Sequence, residues 1–112
     1  MSYIDAFMVP VRTDNKAAYI EGSKMFAGVV KEFGATRLYE FWGDDVPDGQ
    51  LTSFPMAVKL EPGETVVLSY VEWPDKATRD AGNAKMMADP RMAPQNMPFD
   101  GKRMIYGGFV PL

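Results

Sequence analysis

Tyr3-Ile4-Asp5-Ala6-Phe7-Met8-Val9-Pro10-Val11 is apolar on both of its alternations, with Tyr3, Phe7, Val9 and Val11 on one and Ile4, Ala6 and Met8 on the other. Successive side chains of an extended chain point to opposite faces, so a strand of this composition is covered on both sides. A sheet with one wet face would alternate apolar and polar residues instead.

Working outward, Thr13 or Asp14 can cap a helix over about residues 14 to 33, whose apolar positions Ala18, Gly22, Met25, Phe26, Val29, Val30 and Phe33 recur with helical spacing before Gly34 ends it. Leu38, Tyr39, Phe41 and Trp42 suit a second strand within Ala35 to Val46, stopped by Pro47-Asp48-Gly49. Ser53 to Val58 reads as a short extended piece or one helical turn. The turn Glu61-Pro62-Gly63-Glu64 leads into a β-branched and aromatic third strand, Thr65 to Trp73. Asp75 is the N-cap candidate of a second helix with the inward stripe Ala77, Ala81, Ala84, Met87 and Ala88, ending before Asp89-Pro90. Residues 89–102 carry Pro90, Pro94 and Pro98 and read as a loop. Arg103 to Val110 forms the last strand, where Gly107-Gly108 marks a bulge or the close approach of another backbone.

The order β-α-β-β-α-β predicts an α+β, ferredoxin-like fold: a four-stranded antiparallel sheet with two helices on one face, in a single domain over residues 1–112. Such a sheet leaves its other face open. Tyr39, Phe41, Trp42, Tyr70, Trp73, Tyr106 and Phe109 are too many large aromatics for a wet surface. A second copy packed sheet to sheet covers them, so a homodimer through the sheet faces is expected.

Composition excludes whole classes of function. The chain has 112 residues, a net charge of −3 and a pI of about 4.8, and its Lys and Arg are scattered, so no basic stripe exists to track phosphates and no nucleic-acid partner is expected. The N-terminal residues lack the pattern of a signal peptide and no apolar run reaches membrane-spanning length, which makes the cytoplasm the expected location and a membrane an unexpected partner. Cysteine and histidine are both absent. Disulfides, thiolate or imidazole metal sites, the usual haem ligands and Ser-His-Asp or Cys-His catalysis are therefore out of reach, and neither a cofactor nor a metal is expected.

The residues left for a site are few. Arg79 and Asn83, at i and i+4, can present a guanidinium and an amide to an anionic ligand from one helix face. Trp42 and Tyr106 can orient an aromatic molecule. Within Phe99-Asp100-Gly101-Lys102-Arg103, a tight turn before the last strand, Arg103 either pairs with a carboxylate at the sheet edge or anchors a ligand. Trp42, Arg79, Asn83, Arg103 and Tyr106 thus form the candidate ligand-binding set, with no catalytic residue assigned. Met86-Met87, Met92 and Met97 bring adaptable groups that can line a pocket. Asp44-Asp45, with Glu40 nearby, lacks the spacing of a cation loop and reads as a solvated turn.

Several blocks together resemble the YbaA-like family, domain of unknown function 1428. They are Tyr3-Ile4-Asp5, Asp44-Asp45-Val46 leading to Thr52-Ser53-Phe54-Pro55-Met56-Ala57-Val58, Arg79-Asp80-Ala81 with Asn83-Ala84-Lys85, Met87-Ala88-Asp89-Pro90-Arg91, and Met97-Pro98-Phe99-Asp100-Gly101-Lys102-Arg103-Met104-Ile105-Tyr106-Gly107-Gly108-Phe109. The resemblance implies a dimeric α/β barrel, in which two ferredoxin-like sheets close on one another. That superfamily holds cofactor-free monooxygenases of the antibiotic-biosynthesis type, haem-degrading enzymes and stress-related proteins, so fold alone does not choose a function. The expectation is a homodimer that binds a small apolar or aromatic molecule at the sheet–helix cleft or in the barrel. A cofactor-independent monooxygenase or isomerase and a non-catalytic protein-interaction dimer are the rival readings.

Overall fold

In the computed structural model, which describes residues 2–112, the two longest strands lie side by side at the centre of the sheet. Strand β1 (Tyr3–Arg12) pairs antiparallel with β3 (Glu64–Trp73) along its whole length, from Tyr3 opposite Trp73 to Arg12 opposite Glu64. The short strands β2 (Arg37–Trp42) and β4 (Ile105–Phe109) flank them, giving the order β2-β3-β1-β4 with every pairing antiparallel. Helices α1 (Lys16–Glu32) and α3 (Lys76–Met87) complete a ferredoxin-like α+β arrangement, and a single turn, α2 (Phe54–Ala57), sits between β2 and β3.

Register fixes what each face carries. Tyr3, Phe7, Val9 and Val11 of β1 lie across from Trp73, Ser69, Val67 and Thr65 of β3, and this is the face on which the helices pack. Val30 of α1 joins Tyr3, Ala35, Val71 and Trp73 in one buried cluster; Tyr19 of α1 joins Val9, Val11 and Val67 in another. The opposite face is covered at one end only, where Val58 closes over Met8 and Val66 and Leu60 packs alongside. Serine supplies that segment's start, since the Ser53 hydroxyl accepts the Met56 N–H at 3.1 Å and caps α2. Of the two readings of residues 53–58, the helical turn is the one found. The rest of this face presents Tyr39, Phe41, Leu68, Tyr70, Ile105 and Phe109, with Phe41, Leu68, Ile105 and Phe109 all exposed. Both alternations of β1 are apolar because one meets helices and the other contributes to this face.

Four details differ from expectation. The first helix opens with a tighter turn, Thr13–Asn15, and no side chain caps it, because Asp14 is engaged by Arg12 at 3.0 Å and 3.1 Å. Strand β2 is shorter than Ala35 to Val46, since Gly43 is the last residue to bond back to β3 (Gly43 N–H to Val66 C=O, 2.8 Å) before the chain turns away. Strand β4 begins at Ile105, with Arg103 inside the preceding turn (Gly101–Arg103), and its ladder runs unbroken from Ile105 to Phe109 with no bulge at the glycine pair. A Cβ at Gly108 would lie 2.1 Å from the Tyr3 hydroxyl and 2.9 Å from Arg79, so a close approach of side chains explains that glycine.

The largest difference is the rotation of α3. Its apolar stripe, Ala77, Ala81, Ala84, Met87 and Ala88, faces outward, while Thr78, Arg79, Gly82, Asn83 and Met86 face the sheet. Alanine methyls gain little from burial, about 0.8 kcal/mol per carbon. The alternative orientation seats Gly82 directly against the indole of Trp73, which is wholly buried, and brings Arg79 and Asn83 onto Asp5 of β1. Asp75 caps this helix by accepting the Thr78 N–H at 2.7 Å, as its sequence position indicates.

Candidate ligand cleft

A row of side chains crosses the helix face of the sheet. Glu40 of β2 is opposite Ser69 of β3, Ser69 is opposite Phe7 of β1, and Phe7 is opposite Tyr106 of β4, so all four share the helix face. Tyr19 falls on the first turn of helix α1 and reaches down to the sheet. Its hydroxyl donates to a Glu40 carboxylate oxygen. Burial, reinforced by this carboxylate, pushes the Tyr19 phenol well above its ordinary range, so it stays a neutral donor at any physiological pH. The Ser69 hydroxyl lies near enough to Tyr19 to act on its ionisation in the opposite sense, yet it is fully buried and makes no hydrogen bond of ordinary geometry among the described residues.

Above this row opens a cleft of about 900 Å³, at the upper end of the usual range for small-molecule sites. Its floor holds Phe7, Tyr19 and Glu40, and α1 supplies one wall with Gly22, Ser23 and Phe26. The other wall is the segment after α3, through Met92, Pro94, Met97, Pro98, Phe99 and Met104. Glu40 and Tyr19 are polar groups set in an otherwise apolar floor, and Gln95, Asp100 and Lys102 stand exposed on the far wall. Three prolines and three short helical turns, Pro90–Met92, Pro94–Asn96 and Gly101–Arg103, shape that wall without a long regular element.

Two arginines staple the wall at its ends. Arg91 bonds Asp89 at 2.6 Å and 3.0 Å, reaches Glu32 at the end of α1, and lies 6.0 Å from the Phe33 ring centroid. Arg103 holds Glu64 through two parallel bonds of 2.7 Å and 2.8 Å, Asp100 at 2.9 Å and the Lys59 carbonyl at 3.1 Å. This two-pronged geometry is what a planar guanidinium provides and an ammonium does not. Arg103 holds the Glu64 carboxyl below the usual carboxylate range.

The five residues singled out in the sequence fall in four places, and none of them lines the cleft. Arg79 and Asn83 come together on Asp5, which accepts from Arg79 at 2.8 Å and 2.9 Å, from the Trp73 indole N–H at 3.0 Å and from Asn83 at 3.3 Å. The guanidinium also lies 5.0 Å from the Tyr3 ring centroid. The anion these two donors meet is thus the chain's own carboxylate. Trp42 packs against the cluster containing Tyr19, with the Lys16 ammonium 5.2 Å from its ring. Arg103 sits at the base of the wall, and Tyr106 stands exposed on the edge strand. Of the methionines noted for adaptability, Met92 and Met97 do line the cleft.

Tyr19 and the role of Glu40 escape a sequence reading. The stripe that starts at Ala18 passes Tyr19 by, although Ala18 is exposed and Tyr19 stands three, seven and eleven residues before Gly22, Phe26 and Val30, the spacing that places it on the buried face. Glu40 alternates correctly with Leu38 and Trp42, but a charged residue on the helix face of a strand is not what alternation predicts.

Fold and cleft define a ferredoxin-like α+β protein with a large apolar cleft between sheet and helix. The family model described as "Protein of unknown function (DUF1428)" matches residues 2–101, and the chain belongs to that family. "Uncharacterized protein YbaA" of Escherichia coli K12 is 57% identical over 111 residues, covering 97% of this chain and 95% of the relative, and its Shigella flexneri counterpart matches with the same figures. Among solved structures, an uncharacterized NIPSNAP domain protein from Burkholderia xenovorans superposes with a TM-score of 0.57 at 16% identity, over 98% of this chain and 94% of that one. The de novo designed protein Foldit4 superposes with a TM-score of 0.51 at 11% identity over the full length of both. These two likenesses establish the fold alone.

Proposed function

We propose that the chain binds a small, largely apolar organic molecule in the cleft between α1, the sheet and the 90–104 wall. The observation that carries this reading is the 900 Å³ cleft with Glu40 and Tyr19 on its apolar floor. Apolar walls supply the affinity, and a few placed polar groups supply orientation. The test is fluorescence titration with the neutral probe N-phenyl-1-naphthylamine, on the wild type and on Ser23→Trp, which fills the cleft from the α1 wall. Saturable binding abolished by Ser23→Trp supports the reading; equal binding by the two proteins refutes it.

The same proposal includes a homodimer through the open sheet faces. Its support is the apolar face carrying Phe41, Leu68, Tyr70, Ile105 and Phe109, together with a small groove of about 150 Å³ between Phe41, Phe54 and Leu68. Sedimentation equilibrium at micromolar concentration should give twice the chain mass, and Leu68→Glu should return a folded monomer. A monomeric wild type refutes the dimer and leaves the cleft untouched.

A catalytic reading draws on one feature, the Glu40 carboxylate. In a chain without histidine or cysteine, Glu40 is the base held on the cleft floor, and an isomerase would use it to take a proton from a carbon beside a carbonyl and return it to a neighbouring carbon. Turnover of an enolisable ketone panel, lost in Glu40→Gln with binding retained, would establish this; the absence of turnover across the panel would reject it.

A further inference from the structure

The charge balance around Glu40 differs from that around three other partly buried carboxylates of the chain. Asp5 is met by Arg79, Glu64 by Arg103 and Asp89 by Arg91, each within ion-pair distance. Among the described residues, Glu40 meets no cation within ion-pair distance. Its partner is the neutral Tyr19 phenol, which engages one carboxylate oxygen, and among the described residues no other donor reaches it. A half-buried carboxylate beside apolar walls, satisfied on one oxygen, leaves both an acceptor and a negative charge for whatever enters the cleft.

Aromatic rings line the same cleft. Phe99 lies 6.2 Å from Tyr19 ring to ring, and Phe7 and Phe26 meet edge to face at 5.9 Å, all four lining the cleft. Ring faces attract cations, and the effect grows when water is excluded. The charged groups that border the cleft do not cancel Glu40: Asp100 is engaged by Arg103, and Lys102 is an exposed residue that forms no ion pair with Glu40. The net charge of −3 adds a weak long-range attraction for cations.

We infer that the cleft selects a lipophilic organic cation, an ammonium carried on an aromatic-sized apolar body, with the ammonium donating to the open Glu40 oxygen and the body packed among Phe7, Phe26 and Phe99. This inference rests on the cleft being a ligand site and adds the chemistry of the ligand. A neutral hydroxyl could fill the same acceptor, but it leaves the carboxylate charge uncancelled, and charge-assisted bonds are about twice as strong as neutral ones. An anion of the same shape is repelled.

Three probes of one shape separate these cases: 1-naphthylmethylamine, 1-naphthalenemethanol and 1-naphthoic acid, each titrated calorimetrically into the full chain at pH 7. The amine is expected to bind at least about tenfold tighter than the alcohol, and the acid more weakly than either. Glu40→Gln should bring amine and alcohol to equal affinity. If the alcohol equals the amine on the wild type, the cation inference fails while the cleft stands. If no probe binds, the cleft reading fails and the inference with it. Should Glu40→Gln not fold, the order of the three probes on the wild type decides the matter.

Discussion

Replacing Gly82 by alanine tests the rotation of α3 directly. A Cβ at Gly82 would lie 2.6 Å from two carbons of the Trp73 ring and 2.9 Å from the Phe33 carbonyl oxygen, closer than packed atoms tolerate. The indole has nowhere to go, since it is wholly buried and its N–H is held by Asp5 at 3.0 Å. Overpacking a core in this way costs about 1–3 kcal/mol, and a rigid ring and a backbone oxygen place this site at the upper end, about 3 kcal/mol. Alanine is the better helix former by about 1 kcal/mol, which offsets part of the loss. The net expectation is a destabilisation of about 2 kcal/mol, read from urea unfolding midpoints at unchanged slope. Gly28 is the control. It lies in the interior of α1, where an added methyl would meet nothing within 4 Å, so Gly28→Ala should stabilise by up to about 1 kcal/mol. A Gly82→Ala protein as stable as Gly28→Ala would mean that Gly82 faces solvent and that the alanine stripe is the buried side of α3 after all.

Other perturbations follow from the same contacts. Asp5→Ala strips Arg79, Trp73 and Asn83 of their shared acceptor and leaves a largely covered guanidinium; a loss of about 2–3 kcal/mol is expected in the same unfolding assay, below the range for a fully buried pair because both side chains keep some exposure. The Glu64 carboxyl is held below its ordinary pKa by Arg103, so its contribution to stability is complete above the unfolded carboxylate pKa of about 4.3 and disappears as pH falls through the lower folded value. Thermal melting between pH 7 and pH 3 should therefore show a shallower acid decline in Glu64→Gln than in the wild type. Arg91→Ala releases the wall from Glu32 and Asp89, and amide exchange in residues 92–98 should quicken with little change in the strands.

Much of the fold is legible along the chain because its strongest signals are local. The two-sided apolar run of β1, the Asp75 cap and the β-branched β3 each specify their element without help from distant residues. Helix α3 resists such reading because alanine carries too little apolar area to outweigh two demands of packing, the flat approach that Trp73 requires of Gly82 and the donors that Asp5 requires of Arg79 and Asn83. The second demand links residues 74 and 78 positions apart. The cleft is hidden for the same reason. Glu40, Ser69 and Phe7 become neighbours only through strand register, and Tyr19 reaches them from the buried face of α1. The adaptable Met92 and Met97 were the sequence's one pointer to the cleft, through composition rather than position.

The most direct test of the ligand cleft is a backbone amide NMR titration with 1-naphthalenemethanol, a neutral probe that the cleft should accept whatever the role of Glu40. The expected result is saturable shifts concentrated on Gly22, Ser23, Gln95 and Gly101, which border the cleft. Shifts concentrated on Phe41, Leu68 and Ile105 of the open sheet face, or none at all, would contradict it.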